Sequence, residues 1–246
     1  LDVDDVTLSN RALERGLRAL GTLGSGNHFL ELQSVEKLVD EDTAKHWGLY
    51  EGQLLAMIHS GSRGLGHQVC SEHSRKFEQM YKRDGERWYN ENWDFHIADR
   101  QLASAPFHSK EGQQYLQEMN AAANFAFANR SALAHRLREV LNLEMGKDGE
   151  ARVLYDVAHN IAKVDKHIIH GHNCQCVVHR KGATRAFGGD QLELNSHFKS
   201  TGQPVLVPGD MGTGSWIMSG PVNGQNQAFG SSCHGAGRSL SRTKAK

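Results

Sequence analysis

The sequence predicts a mixed α+β fold, because stretches with helical periodicity alternate along the chain with short apolar runs of strand length. Residues 5–20 place leucines and alanines on one stripe of a helix with 3.6 residues per turn. Residues 109–142 form a longer helical pattern that is rich in Ala, Leu, Gln and Glu, with Pro106 just upstream as its boundary. No internal repeat or low-complexity linker interrupts the chain, so we expect one domain.

The other predicted elements lie between turn-forming residues. A further helix is expected at 66–83, where Asp84 and Gly85 end it. The second predicted strand places His59 at its end, and Pro208 with Gly209 ends the last one. The predicted strands are residues 29–35, 52–58, 152–157, 175–179 and 204–207. Glycine-rich loops therefore follow several of these strands.

Composition indicates an ordinary soluble globular protein. Hydrophobic residues make up 38% and charged residues 23% of the 246 residues, which excludes an intrinsically disordered chain and supplies one large core. Lys plus Arg and Asp plus Glu number 28 each. The net charge therefore indicates neither a nucleic-acid partner nor its absence, and any basic surface must be local.

The chain carries no pattern that directs a protein into a membrane or the secretory pathway. No apolar run approaches the ~18 residues of a transmembrane helix, and the acidic segment after Leu1 lacks the apolar core of a signal peptide. Four cysteines are too few for a disulfide scaffold, which favours a reducing cytoplasm. Because the chain does not begin with Met, we expect a fragment or a processed product.

Histidine and glycine are unusually frequent, with 15 and 26 residues. His28, His59, His159 and His234 each end an apolar run inside a turn that contains glycine or an amide side chain. Loops after strands are where scaffolds present catalytic groups. Neutral imidazole ligates transition metals, and histidine also acts as a covalent nucleophile. One such histidine is usually a turn or core residue, but four in one context indicate a metal cluster with a reactive imidazole.

A glycine loop at 209–215 follows a predicted strand and suggests binding of phosphate or a nucleobase, because backbone amides and two hydroxyls are groups that can cradle such a ligand. It matches neither the phosphate loop of nucleotide triphosphatases nor a dinucleotide-binding fingerprint, and a tight turn is the alternative. Arg63, Lys181, Arg185 and Arg238 lie in similar loops. Cations in glycine loops fit phosphate, although solvated surface charge is the simpler explanation for each alone.

Two other clusters are better explained by packing than by chemistry. One has the composition of a zinc site, but its Cys-x-Cys spacing and lack of a second pair favour a plain hairpin. Its members are His167, His170, His172, Cys174 and Cys176. The other would suit base stacking, yet packing in a covering loop is the simpler interpretation. Its members are Trp88, Trp93, Phe95 and His96.

Seven segments together resemble one family, the RtcB RNA ligases. They occur in the family's order and cover nearly the whole chain, so the set is specific although any one segment is not. The segments are 24–31 (GSGNHFLE), 59–68 (HSGSRGLGHQ), 124–130 (NFAFANR), 157–163 (VAHNIAK), 179–186 (HRKGATRA), 207–215 (VPGDMGTGS) and 231–238 (SSCHGAGR). By this resemblance the chain is similar to the central part of such a ligase.

The resemblance implies an enzyme that joins RNA ends carrying a 3′-phosphate or 2′,3′-cyclic phosphate to ends carrying a 5′-hydroxyl, with GTP as nucleotide and two Mn²⁺ ions as cofactors. It implies that His28, His59 and His159 are metal ligands and that His234 is the nucleophile that takes GMP. The implied guanylate site consists of Asn27, Phe29, Glu31, Asp210, Thr213, Ser215, Ala236 and Gly237. The implied RNA or phosphate ligands are Arg63, Asn160, Lys181 and Arg238.

The chain departs from the family pattern in ways that affect the expected activity. The family's Asp-x-Gly-Cys-Gly loop and its C-terminal lysine have no counterpart here, and Asp210 stands where some relatives carry Ser. We therefore expect incomplete metal and guanylate sites, weak metal binding and poor ligation. A metal-dependent phosphatase or nuclease that activates water is one alternative, and an inactive RNA- or nucleotide-binding fragment is another. A covalent GMP would distinguish the ligase from both.

Overall fold

The computed structural model describes residues 1–3, 6–191, 194–209, 212–221 and 228–235. It confirms the α+β class, with α-helices and several small antiparallel sheets. The chain divides into two compact units. The first consists of Leu1–Ser34 and Leu54–Arg152, and the second of Val35–Gln53 and Val153–Lys246. The expectation of a single domain stays a prediction.

The elements are numbered in chain order. The helices are α1 (Asn10–Leu17), α2 (Glu41–His46), α3 (Arg63–Gln79) and α4 (Lys110–Met145). The strands are β1 (Phe29–Ser34), β2 (Leu54–His59), β3 (Lys82–Asp84), β4 (Arg87–Asn90), β5 (Phe95–Ile97), β6 (Asn160–Ile169), β7 (His172–Lys181), β8 (Ala183–Arg185), β9 (Pro204–Val207), β10 (Trp216–Ser219) and β11 (Ser231–Cys233). Within the described residues, no helix is both long and apolar enough to cross a membrane.

In the first unit, three helices pack around a small apolar core. Ala12 of α1, Leu65 and Val69 of α3 and Ala122 of α4 are all buried there. The small alanine side chains let the helices approach closely, and burial of the larger Leu and Val side chains supplies about 25 cal/mol per Å² of apolar surface. The strands β1 and β2 pair antiparallel beside this core, and their register fixes where the histidine-bearing loops begin.

The helix α4 is the longest element of the first unit, with 36 residues. It begins at Ser109, whose side chain accepts a hydrogen bond from the backbone N–H of Gly112 and so satisfies an otherwise unpaired donor. It ends at Gly146, where φ is +61°. Its buried face includes Ala122, Ala126, Asn129 and Leu133, which recur at helical spacing. Asn129, like the buried Glu118, is therefore a polar residue on a mostly apolar buried face.

The second unit consists of hairpins around an aromatic core. The strands β6 and β7, of ten residues each, form an antiparallel hairpin. The hairpin turns at His170 and Gly171, which both have positive φ. The short strands β8 and β11 pair with each other, as do β9 and β10. The buried core residues are Trp47, Phe187, Leu194 and Phe198. The hairpin interpretation of the histidine- and cysteine-rich segment is thus confirmed.

Most predicted elements are present with shifted ends. The strand predictions at 29–35 and 204–207 are confirmed, and the one at 175–179 falls inside β7. The helix predicted at 5–20 is shorter, and the one predicted at 66–83 begins three residues earlier and ends at Gln79. The packing-loop interpretation of the tryptophan-rich segment missed the three-stranded sheet β3–β4–β5.

The strand predicted at 152–157 is wrong. No strand is assigned there in the described structure, because the segment has no hydrogen-bonded partner strand. Its apolar side chains are instead used for packing: Leu154 and Tyr155 contact the aromatic core, and the rings of Tyr155 and Phe198 meet edge to face at 5.3 Å. Alternating apolar residues indicate that one face of a segment is buried. An extended segment that pairs with no strand can also bury one face, so the pattern alone does not prove a strand.

Candidate functional site

The β1–β2 pairing brings two of the predicted metal ligands together in the first unit. Phe29, the first residue of β1, lies opposite His59, the last residue of β2, so His28 is adjacent to this pair. The ring centroids of His28 and His59 are 5.9 Å apart, and the ring of Phe29 meets His59 edge to face at 5.1 Å. His28 and His59, two of the three implied metal ligands, therefore have neighbouring rings. The convergence of His28, His59 and His159 on one metal ion stays a prediction.

Arg63 contacts His28 directly. Its Nη1 lies 3.3 Å from Nδ1 of His28, and its Nε lies 3.4 Å from the hydroxyl of Thr22. Arg63 begins α3 with φ of +49°, an uncommon conformation for a residue with a side chain. Gly24 makes room for this contact, because a Cβ at that position would collide with the guanidinium. The predicted phosphate ligand is therefore placed beside a predicted metal ligand.

Both burial and charge keep His28 neutral. Burial lowers the pKa of His28 below its ordinary value because the protein solvates the imidazolium less well than water does, and the nearby Arg63 guanidinium lowers it further. A hydrogen bond with the backbone of Leu23 acts in the opposite direction. The neutral imidazole is the form that ligates metals.

In the second unit, the strand-end histidines His159 and His234 form a stacked pair. Their ring centroids are 3.8 Å apart and the ring planes differ by 4°. The backbone N–H of His234 donates to the carbonyl of Gly182 at 3.1 Å, and Asn160 Oδ1 accepts from the N–H of the same glycine at 2.9 Å. The turn after β7 thus holds the backbone beside both histidines.

The environment of His234 suits a nucleophile. Burial lowers the pKa of His234, and a hydrogen bond with the backbone of Leu206 partly offsets this. A lowered pKa leaves the imidazole neutral at physiological pH, so that a ring lone pair is present. The neighbouring Cys233, whose thiol is intrinsically the better nucleophile at neutral pH, is exposed and forms no disulfide.

The remaining predicted ligands of nucleotide and RNA are at the surface or in loops. Lys181 is the exposed last residue of β7, and Glu31 is exposed on β1, where it accepts a hydrogen bond from Gln33. Asn27 lies in the exposed turn before His28, and Ser215 accepts a hydrogen bond from the N–H of Gly209, which closes the glycine loop that also holds Thr213. The predicted residues Asp210, Ala236, Gly237 and Arg238 lie outside the described residues.

The zinc-like cluster does not form a metal site in the described structure. Among the described residues, no set of three histidine, cysteine or acidic side chains within 167–176 brings its ligand atoms to metal-binding distance. The hairpin register places His167 opposite Cys174, and the ring of His167 packs edge to face on Phe229 at 5.3 Å. Packing therefore accounts for this histidine.

Sequence reasoning missed two groups of buried polar residues. In the first unit, Asn129 has no exposed surface and binds the loops on both sides of the histidine pair. In the second unit, Arg180 pairs with Asp165 at 2.8 Å and donates to the Ser231 hydroxyl at 2.8 Å, which ties β11 to the hairpin. Arg185, expected in a phosphate loop, lies 3.5 Å from the same carboxylate. One signal in the sequence could have identified these residues: each is polar but occupies a position that the periodicity assigns to the core.

Each unit therefore presents strand-end histidines in loops that glycines and buried hydrogen bonds hold in place. Together these features define a class of α+β protein with imidazoles suited to metal binding and to nucleophilic chemistry. The family model described as "tRNA-splicing ligase RtcB" matches residues 2–246, and the chain belongs to this family.

Individual relatives carry the same printed name. The tRNA-splicing ligase RtcB of Thermococcus kodakarensis is 48% identical over 98% of this chain and 49% of its own length. That of Methanococcus maripaludis is 47% identical over 99% of this chain and 50% of its own length. That of Pyrococcus furiosus is 48% identical over 98% of this chain and 24% of its own length. The chain thus spans about half or less of the length of these relatives.

Proposed function

We propose that the protein is an RNA ligase that joins 3′-phosphate or 2′,3′-cyclic phosphate ends to 5′-hydroxyl ends, with GTP and Mn²⁺, through GMP bound covalently to His234. The observation that carries the proposal is the environment of His234, a half-buried imidazole with a lowered pKa, held at a strand end against His159. The printed name of the relatives, a tRNA-splicing ligase, supports RNA as the substrate. The four free cysteines support a cytoplasmic location as part of the proposal.

The histidines of the first unit fit a metal ion. Two imidazoles lie side by side, and the pKa of His28 is lowered, so the ligating form prevails. We propose that His28, His59 and His159 hold Mn²⁺. When bound, the metal neutralises phosphate charge and orients the triphosphate.

The protein's own nucleophile performs the group transfer in this proposal. The imidazole lone pair of His234 forms a bond to the α-phosphorus of GTP, and the bond to pyrophosphate breaks. Where the RNA end is a 2′,3′-cyclic phosphate, water first adds to its phosphorus and the bond to the 2′-oxygen breaks, which leaves a 3′-phosphate and a 2′-hydroxyl. An oxygen of the RNA 3′-phosphate then attacks the phosphorus of the His234-bound GMP, and the bond to His234 breaks, which restores the imidazole. The 5′-hydroxyl finally attacks the activated 3′-phosphate and displaces GMP. Positioning and charge stabilisation supply most of the catalysis in such transfers.

Other residues have positioning roles in the same proposal. Arg63, Lys181 and Arg238 neutralise phosphate charge, and Asn160 donates from its amide nitrogen while its oxygen holds Gly182. The guanylate site comprises Asn27, Phe29, Glu31, Asp210, Thr213, Ser215, Ala236 and Gly237.

The test is transfer of label from α-labelled GTP to the full-length parent enzyme in the presence of Mn²⁺, since the chain itself is expected to bind metal weakly and to ligate poorly. We expect His234→Ala to abolish covalent labelling while Mn²⁺ binding is retained, and His59→Ala to weaken both. Cys233→Ala is the matched control, because it changes the adjacent nucleophile and should keep the label. Labelling of His234→Ala, or an acid-stable label that disappears in Cys233→Ala, would refute the assignment. Labelling that is absent from the unmodified protein would favour an activated-water phosphatase or a binding protein.

A further inference from the structure

The buried amide of Asn129 holds the loop that ends at His28. Asn129 has no exposed surface and lies on the buried face of α4. Its Oδ1 accepts hydrogen bonds from the backbone N–H groups of Gly21, at 2.6 Å, and Thr22, at 3.1 Å. One carbonyl oxygen therefore binds two consecutive backbone N–H groups, of which that of Thr22 also donates to the carbonyl of Ala19 at 3.2 Å.

The nitrogen of the same amide holds the loop that follows His59. Asn129 Nδ2 lies 3.1 Å from the carbonyl oxygen of Gly61 and 3.2 Å from both the hydroxyl of Ser60 and the carbonyl oxygen of Thr22. Its two hydrogens are thus shared among three acceptors. A single side chain connects the residues just before His28 to the residues just after His59.

Neighbouring side chains reinforce this connection. The hydroxyl of Ser60 donates to the carbonyl of Leu23 at 2.7 Å, so it links the two loops directly. Arg130 Nη1 donates to the carbonyl of Ser60 at 3.3 Å, and Arg136 Nη1 donates to the carbonyl of Gly21 at 2.8 Å. Two of these hydrogen bonds join a side chain of α4 to a loop carbonyl, and the third joins the Ser60 side chain to a carbonyl of the other loop. The helix therefore acts as a rigid support for both loops.

We infer that Asn129 is a positioning residue that sets the separation of the His28 and His59 imidazoles for a divalent metal ion, an inference that rests on the proposed function. Partners that orient metal ligands affect affinity although they do not touch the ion. The two loops present two N–H donors and three oxygen acceptors to residue 129, so its side chain must carry both a carbonyl oxygen and an NH₂ group. Aspartate has the same length but only accepts, so one of its oxygens would face the carbonyls of Thr22 and Gly61.

The main test is Mn²⁺ affinity, measured by the electron paramagnetic resonance of free Mn²⁺ and by calorimetry, together with the melting temperature. Asn129→Asp is expected to weaken Mn²⁺ binding by about tenfold or more, as loss of a ligand-orienting partner does. Asn120→Asp is the matched control on the same helix, because its amide donates at the surface to the carbonyl of Asp2. We expect this control to leave Mn²⁺ affinity and melting temperature unchanged.

A second comparison separates positioning from general loss of stability. Leu133→Ala, on the same buried face of α4, leaves a cavity and lowers the melting temperature without altering the loop hydrogen bonds. It should retain the Mn²⁺ affinity of the unmodified protein. In a His28→Ala background, Asn129→Asp should still lower the melting temperature but cause no further loss of Mn²⁺ affinity, because the separation that it sets no longer matters.

A milder variant keeps the test decisive if Asn129→Asp does not fold. Ser60→Ala removes only the hydroxyl bridge and should weaken Mn²⁺ binding in the same direction by a smaller factor. Unmodified protein that fails to bind Mn²⁺ would overturn the proposed metal centre and this inference with it. If the unmodified protein binds Mn²⁺ and Asn129→Asp binds it equally well, the inference alone is overturned. Where Asn129→Asp does not fold, equal Mn²⁺ affinity in Ser60→Ala overturns it instead. An equal loss of affinity in Leu133→Ala would also overturn it, in favour of stability.

Discussion

The buried ion pair of the second unit predicts a large loss of stability from an isosteric substitution. The side chains of Asp165 and Arg180 are 0% and 2% exposed, and Arg180 Nη2 lies 2.8 Å from Asp165 Oδ2. Arg185 Nη1 lies 3.5 Å from the other carboxylate oxygen. Asp165→Asn preserves the shape of the side chain but leaves two guanidinium groups without their anion. The substitution therefore tests charge rather than packing.

The magnitude follows from the burial of the pair. Removal of one partner of a buried ion pair typically costs about 3–5 kcal/mol, because the other charge is left uncompensated. In a chain of this size each kcal/mol lowers the melting temperature by about 2–4 °C, so we expect a decrease of about 6–20 °C. Arg180→Met should cost a similar amount, because Asp165 is left without its cation and the hydroxyl of Ser231 and the carbonyl of Phe229 each lose the hydrogen bond from Arg180.

The assay is urea unfolding followed by circular dichroism, with native-state hydrogen exchange of the β6–β7 amides as a local measure. The double variant Asp165→Asn with Arg180→Met removes both charges of the pair, so its loss should be well below the sum of the two single losses. Glu91→Gln is the control, since its pair with Lys82 is exposed and should contribute little. A loss below about 1 kcal/mol in Asp165→Asn, or additive single losses, would refute the reasoning.

Two further predictions concern the first unit. Gly24→Ala should destabilise the protein more than Gly26→Ala: both glycines have positive φ, but only at Gly24 would a Cβ collide with the Arg63 guanidinium. Equal losses in thermal melts of the two variants would contradict the close contact. Burial raises the pKa of Tyr115, and the nearby Cys70 adds to this, so the neutral phenol is favoured in the folded state. Stability from this group is complete below about pH 10, the unfolded value, and is lost as the pH rises through the folded pKa. Tyr115→Phe should therefore reduce the alkaline loss of stability in urea titrations, and an unchanged pH profile would contradict this.

Local patterns sufficed for much of the fold and for part of the site. Apolar runs beside glycine- or amide-bearing turns located His28, His59, His159 and His234, because apolar runs and turn residues are encoded within a few positions of one another. The helical periodicity of α4 was equally visible, since a long amphipathic repeat has few alternative structures.

Other features depended on partners that lie far away in the sequence. The segment 152–157 has the composition of a strand, but whether it pairs is decided by what lies beside it, and its side chains pack on an aromatic core instead. The strands β3 to β5 are so short and so polar that only their mutual hydrogen bonds define them. Periodicity within a segment contains no information on either point.

By itself, the sequence determined the α+β class, the strand-end histidines and the family to which the chain belongs, because each is a matter of residue types in local order. Only the tertiary structure decided which buried polar groups support those histidines. Asn129 lies 69 positions from the Ser60 hydroxyl that it binds, and Arg180 lies 51 positions from Ser231. A buried amide or guanidinium is stable only where its hydrogen-bond partners converge, and that convergence is a property of the folded chain.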